Sequence, residues 1–290
     1  MSQTEQSFSD KWHKNRDLAF AETQREGSDL QSWILGRNGF HNLEALRSHL
    51  HGKTRLLDAG CGNGRVTALL RSAAPAGATV VGIDLVAAEV ARENLAGAPM
   101  VEFYGRDLLG DLRDLGSFDF IYCQEVLHHT SDPRGAFLNL AGLLQERGEI
   151  AIYVYKLKAP IREFSDDYVR DQISPLSYDD AMKVCREITH LGEALAKSGV
   201  SVTVPGVSAL GISAGTYPVQ RFLYHFFLKC FWNDAFSAEE NAVINYDWFH
   251  PQVATRHTLP EVLEWFAAAG LRPFHQCVDE YGITVRGIRP

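Results

Sequence analysis

No C-x-x-C pair occurs in the 290 residues, and the five cysteines (Cys61, Cys123, Cys185, Cys230 and Cys277) are odd in number and far apart. That excludes a zinc ribbon or a thioredoxin-type redox site and leaves the thiols as small apolar side chains in a reduced core. No metal is expected. Long apolar runs are also missing: nothing approaches the roughly 20 residues that a membrane-spanning helix needs. The polar opening MSQTEQSFSDKWHKNRD has no apolar stretch of the kind that marks a secretory leader. A cytoplasmic location is the expectation. Positive charge is in deficit, with 28 Lys and Arg against 36 Asp and Glu. Domains that bind nucleic acid by neutralising phosphates carry a basic face, so this balance disfavours a nucleic-acid partner. What remains is an ordinary globular composition, long enough for one large domain or one domain with a sizeable insertion.

The first fifty residues are polar with scattered aromatics (Phe8, Trp12, Phe20, Trp33) and predict an N-terminal helical extension. Leu43, Leu46 and Leu50 share one face of a short amphipathic helix. From residue 54 short apolar runs alternate with helical periods. TRLLDAG, ATVVGIDL, VEFYGRD, FDFIYCQ and GEIAIYVY read as strands, and GRVTALLRSAA, VAAEVARENLA and DPRGAFLNLAGLLQE as helices. Such a pattern implies a parallel sheet covered on both faces. The pattern breaks over 156–256, which contains a helical stretch (SYDDAMKVCREITHLGEALAKSG), a Gly/Ser-rich stretch with hinge character at 206–216, and the aromatic-dense VQRFLYHFFLKCFWNDAF. The alternation resumes at Thr258, which caps LPEVLEWFAAAG, and ends in two strands, FHQCVD and YGITVRGI. The expected architecture is a doubly wound, mostly parallel, seven-stranded α/β sheet. Its core is 51–155 with 257–290, and residues 156–256 form a helical insertion after the fifth strand.

The segment LLDAGCGNGR, residues 56–65, carries the chemistry. Gly60, Gly62 and Gly64 allow a tight turn and close backbone approach to a ligand. The dinucleotide fingerprint G-x-G-x-x-G fails, because Arg65 follows Gly64 directly. Asp58, two positions before the first glycine, repels a pyrophosphate but suits a ligand with a cationic amino-acid end. These residues resemble the first motif of the class I S-adenosylmethionine-dependent methyltransferases, and the order of the later segments agrees. The resemblance implies a Rossmann-like methyltransferase fold that binds S-adenosyl-L-methionine and releases S-adenosyl-L-homocysteine. It places Asp58, Gly60, Cys61, Gly62, Asn63 and Gly64 in the cofactor loop, and Asp84 with Leu85 at the ribose hydroxyls. Asp107 and the Leu108 backbone fall at the adenine, although Asp107 is also placed to cap a following helix. Gln124 falls near the methionine portion, by side chain or by backbone alone.

Ligands of open α/β sheets sit outside the carboxyl ends of the strands. There the sequence offers His128 and His129 after the fourth strand, and Tyr155, Lys156 and Arg162 after the fifth. His129 is suited to act as base toward a hydroxyl nucleophile, or to serve only in packing. The stretch NYDWFHPQVATRHT, 245–258, crowds Asp247, Trp248, His250, Arg256 and His257. Clusters like it occur at acceptor pockets of some methyltransferases, so Arg256 and His257 join His129 and Tyr155 as candidate catalytic residues; a polar loop bonded to the sheet edge is the other reading. The aromatic stretch 219–236 suits core packing, an apolar substrate wall or a homodimer surface. The expected function is methyl transfer to a small molecule, with oxygen preferred and the insertion as cover. A tRNA or protein methyltransferase and an idle cofactor-binding partner protein are the rival readings.

Overall fold

The computed structural model describes residues 1–290. The chain forms two compact units: Trp12–Lys156 with Thr255–Pro290, and Met1–Lys11 with Leu157–Ala254. The predicted N-terminal extension is thus shared between the two units.

The N-terminal helices are α1 (Gln3–Lys14), α2 (Phe20–Gln24), α3 (Asp29–Arg37) and α4 (Leu43–Leu50). The alternating region follows as β1 (Arg55–Ala59), α5 (Arg65–Ala73), β2 (Thr79–Asp84), α6 (Ala88–Asn94), β3 (Val101–Gly105), β4 (Phe118–Gln124), α7 (Pro133–Gly142) and β5 (Leu144–Tyr155). After it come α8 (Pro160–Ile173), α9 (Tyr178–Lys197), β6 (Ser201–Val204), β7 (Gly215–Pro218), α10 (Val219–Phe226) and α11 (Ala238–Phe249). The chain closes with α12 (Leu259–Ala268), β8 (Arg272–Val278) and β9 (Gly282–Ile288).

The larger unit is built on seven strands in the order β3-β2-β1-β4-β5-β9-β8. The first five are mutually parallel, and β9 runs antiparallel to both β5 and β8. Apolar residues on both sides of each central strand bury two faces, as a sheet covered by helices requires. Leu57, Val81, Ile121, Ile152 and Val285 meet Phe137 of α7 and Phe266 of α12 on one side. Leu56, Val80, Phe120 and Ala151 meet Ile34, Leu46 and Leu69 on the other. Caps fix where the helices start. Asp132 accepts from the Gly135 N–H ahead of Pro133, and Thr258 with Glu261 forms a reciprocal capping box.

Two expectations need correction. The helix read through Glu146 ends at Gly142, and β5 starts at Leu144. Apolar Leu143 and Leu144 continue the helical period, but the chain enters β5, and Arg147 at φ 60 with Gly148 forms an irregularity where the pairing shifts from Phe118–Leu144 to Phe120–Glu149. A Cβ on Gly148 would come 2.9 Å from the carbonyl oxygens of both Gln145 and Phe118, so only glycine fits that irregularity. The region 156–256 is also not wholly helical. β6 and β7 pair as a small antiparallel hairpin, and the stretch read as a hinge is its loop, closed by a Val207–Ile212 bridge.

The smaller unit packs α8, α9, α10 and α11 around buried polar groups. Asp166 accepts from Arg162 Nε (3.1 Å), Trp248 Nε1 (2.9 Å) and the Lys229 N–H (2.8 Å). Asp247 pairs with Lys11 at 2.6 Å, and His250 Nδ1 lies 2.8 Å from Ser7 Oγ. The polar groups of Asp247, Trp248 and His250 are therefore hydrogen-bonded within this unit, from α11 and its C-cap and not from a loop at the sheet edge.

Candidate functional site

The candidate cofactor loop starts where β1 ends. Gly60 sits at φ 79 and Gly62 at φ 53, in the left-handed region that side chains resist. A Cβ on Gly62 would lie 2.7 Å from the Trp12 ring, so that ring rests directly against the loop. Nothing in the sequence beyond an isolated aromatic pointed to Trp12. The loop's N–H groups are turned inward. Those of Gly60 and Cys61 donate to the Ile83 carbonyl, at 2.7 and 3.0 Å, and that of Gly64 donates to Cys61. The Gly62 N–H donates to Asp84 Oδ2 at 3.0 Å, and the Arg65 N–H to Asn63 Oδ1 at 3.3 Å. A pyrophosphate-binding loop presents such donors to its ligand. This one does not, so the donor set itself rejects a dinucleotide and fits a ligand without phosphates.

Acceptors are what the site offers. Asp58 is 1% exposed and accepts from Thr67 Oγ1 at 2.6 Å. Burial pushes its carboxyl up to about 7, against the Thr67 hydrogen bond and the Arg65 charge. A cationic group brought beside it would favour the ionised form. Asp84, at the end of β2, is held by three backbone donors: Gly62 on Oδ2, and Val86 and Ala87 on Oδ1, both at 2.9 Å. Oδ2 carries a single donor, which leaves that oxygen able to accept from a vicinal diol. Leu85 beside it is exposed, as an apolar platform for a flat ring system would be. Asp107 follows β3 and caps its own turn by accepting from the Leu109 N–H, while Leu108 is buried with its carbonyl held by Asn139.

Two loop residues turn their side chains into the protein. The Asn63 amide donates to the carbonyls of Arg16 and Leu18, both at 3.0 Å, so its side chain braces the N-terminal segment. Only its backbone remains for a cofactor. Cys61 packs its thiol against Ala91 and Phe103, and burial raises its pKa well above the ordinary value.

The ends of β4 and β5 carry an aromatic wall. His128 stacks on Tyr155, with ring centres 3.7 Å apart, and His129 meets Tyr155 edge-on at 5.5 Å. Tyr153 meets Tyr155 at 6.4 Å and Trp33 at 6.0 Å. The segment 255–257 is stitched to these same ends: Thr255 N–H donates to the His128 carbonyl (2.8 Å) and His257 N–H to the Tyr155 carbonyl (2.9 Å). Arg256 therefore lies between two residues anchored to the His128 and Tyr155 carbonyls. His257 is different. Its Nε2 lies 2.9 Å from Thr255 Oγ1 and its Nδ1 2.8 Å from Glu261 Oε1, so both ring nitrogens are engaged in the capping-box region. Gln124, the last residue of β4, is buried opposite Tyr153 in the ladder.

A seven-stranded sheet of this order, with a glycine turn after β1 and a carboxylate ending β2, is the Rossmann-like fold that methyltransferases share. Residues 57–152, a third of the chain, match the family model for a methyltransferase domain, in line with the resemblance to class I S-adenosylmethionine-dependent methyltransferases. An uncharacterised protein from Synechococcus is 34% identical over 145 residues, covering 47% of this chain and 34% of that protein. The ubiquinone biosynthesis O-methyltransferase of Haemophilus ducreyi is 31% identical over 143 residues, covering 47% of this chain and 59% of the enzyme. The chain thus spans between a third and three-fifths of the length of these relatives. An O-methyltransferase family protein from Burkholderia thailandensis superimposes with a TM-score of 0.50 at 14% identity, over 94% of this chain and 58% of that one, which is a likeness of fold.

Proposed function

We propose that the protein transfers a methyl group from S-adenosylmethionine to the oxygen of a small-molecule acceptor. The observation that carries this reading is a division of labour along one edge of the sheet. Carboxylates suited to an amino-acid cation and a diol stand at the ends of β1 and β2, and the imidazole rings of His128 and His129, after β4, and the phenol rings of Tyr153 and Tyr155, on β5, stand on the same edge. The bound cofactor supplies an electrophilic methyl on sulfur. The chain's residues have to align the nucleophile in line with that methyl and take up its proton. His129 is the base in this reading, Tyr155 orients the acceptor, and Arg256 holds its far end. His257, with both nitrogens engaged, braces the Arg256 segment and does not touch the acceptor. The O-methyltransferase relatives support oxygen as the methylated atom.

The test is incubation of the full chain with radiolabelled S-adenosylmethionine and a panel of phenols and catechols. Label should appear on oxygen, and Arg256→Ala should lower transfer while leaving affinity for the cofactor within about twofold. Label in a tRNA or protein fraction, with none in any small acceptor, would reverse the reading.

A further inference from the structure

Gly60, Gly62 and Gly64, in the loop after β1, all have positive φ, at 79, 53 and 84. A glycine backbone is free enough that its surroundings must impose one geometry on it. Gly60 and Cys61 are fixed by the Ile83 carbonyl, and the Gly64 N–H by Cys61. Gly62 is fixed differently. Its N–H donates to a side-chain oxygen, Asp84 Oδ2, at 3.0 Å, and its Cα faces the indole of Trp12. The three atoms nearest to a Cβ placed on Gly62 all belong to that ring, at 2.7, 2.8 and 3.2 Å. The indole therefore fills the space in which a side chain would stand, and it rests on bare backbone.

Trp12 is held in turn. It lies near the end of α1, within the larger unit, and the chain that follows it is tied to the same loop. The side-chain amides of Asn63 and Asn94 both donate to the Arg16 carbonyl, at 3.0 and 2.8 Å, and Asn63 donates also to that of Leu18. Asn94 bonds the Asn63 carbonyl as well, at 3.0 Å. A short way past the tryptophan, the chain is thus fastened to Asn63, the neighbour of Gly62.

What this brace controls is one oxygen. Asp84 Oδ1 takes its donors from Val86 and Ala87, in the turn that Asp84 itself begins. Oδ2 takes its donor from Gly62, in the other strand's loop. Local bonds hold Oδ1 wherever the loop stands, whereas Oδ2 follows Gly62. Resting on the assignment of Asp84 to the cofactor's ribose, we propose that Trp12 is a positioning residue. By seating Gly62 it holds Asp84 Oδ2 in place to accept from the diol, and so sharpens selection of ribose over deoxyribose ligands.

The test titrates the full chain with S-adenosylhomocysteine and with its 2′-deoxy analogue. Wild type should prefer the ribose form about tenfold or more, since the analogue forfeits a hydrogen bond to a charged acceptor. W12A, with its folding checked by circular dichroism, should narrow that preference to about threefold or less. W12F still seats a flat ring on Gly62 and should keep most of it. A ring that only stabilises the fold gives another pattern: both ligands weaken together and the preference stands, which overturns the proposal. In a D84N background W12A should cost little further affinity, and fully additive losses overturn the proposal too. If W12A fails to fold, W12L takes its place, because it keeps apolar bulk and loses the flat ring; an unchanged preference in W12L is again a refutation. Equal binding of the two ligands by wild type removes the assignment of Asp84 to the ribose, and the proposal with it. None of these titrations involves a methyl acceptor, so their outcome is distinct from whether the oxygen of a small molecule is methylated.

Discussion

Asp84→Asn changes two atoms' worth of chemistry at a fixed shape, and the geometry says what each change does. Three backbone N–H groups converge on the carboxylate, one on Oδ2 and two on Oδ1. The asparagine oxygen will take the Oδ1 position, where two donors wait. Its NH2 then faces the Gly62 N–H, a donor against a donor, inside the loop that must hold the cofactor. Losing a hydrogen bond to a charged group costs about 1.5–3 kcal/mol, and leaving a donor opposed adds a cost of similar order. The diol of a bound cofactor loses its best acceptor at the same time. Affinity for S-adenosylhomocysteine should fall about 10- to 100-fold, which is about 1.4–2.8 kcal/mol. Titration calorimetry on wild type and variant measures this directly, with circular dichroism confirming that the variant is folded. A folded Asp84→Asn protein with wild-type affinity would refute the assignment of this carboxylate to the cofactor.

Three further outcomes follow from the same structure. Gly60→Ala puts a side chain at φ 79 and drives its Cβ into both methyls of Val126. Left-handed strain and overpacking together should cost about 2–4 kcal/mol, read as a lower melting temperature; a variant that melts with wild type would show that the loop relaxes freely. Glu149 is buried, which raises its pKa, but His49 at 2.8 Å and Lys53 at 3.1 Å outweigh that and hold it at about 2. A depressed carboxylate stabilises the fold above about pH 4.5 and loses that contribution as pH falls toward 2, so Glu149→Gln should be destabilised by about 3 kcal/mol at pH 7 and converge on wild type in acid. A constant difference across that range would contradict the network. Asp58 has the opposite sign. Its carboxyl is raised to about 7, so folding favours the protonated form, and ligand-free stability should decline from about pH 4 to pH 7 and level off above. Asp58→Asn should lack that decline in urea-melt comparisons, and an identical slope in both proteins would remove Asp58 as its source.

The placement of the candidate cofactor residues was legible in the sequence because they fall in short contiguous runs. Asp58 and the three glycines fall on one strand and turn, and Asp84 and Asp107 each follow an apolar strand. The succession of strands along the chain was legible for the same reason, since each apolar run is bounded by turn residues. The acceptor side was less so. His257 reads like a catalytic histidine until the capping box at Thr258 is seen to use its Nδ1 through Glu261. The side chain of Asn63 is committed to Arg16 and Leu18, some forty-five positions earlier, a contact that the sequence does not announce. Trp12 carries no motif at all, and only the fold places it against Gly62. The β6–β7 hairpin was hidden because its strands are short and its loop is rich in glycine and serine, a composition shared by flexible segments.

The central claim is the cofactor, and calorimetry of the full chain with S-adenosylhomocysteine tests it most directly, with NAD and NADP titrated in parallel. The account predicts saturable one-to-one binding of S-adenosylhomocysteine and no heat from either nicotinamide dinucleotide. Binding of NAD or NADP, with none of S-adenosylhomocysteine, would contradict it.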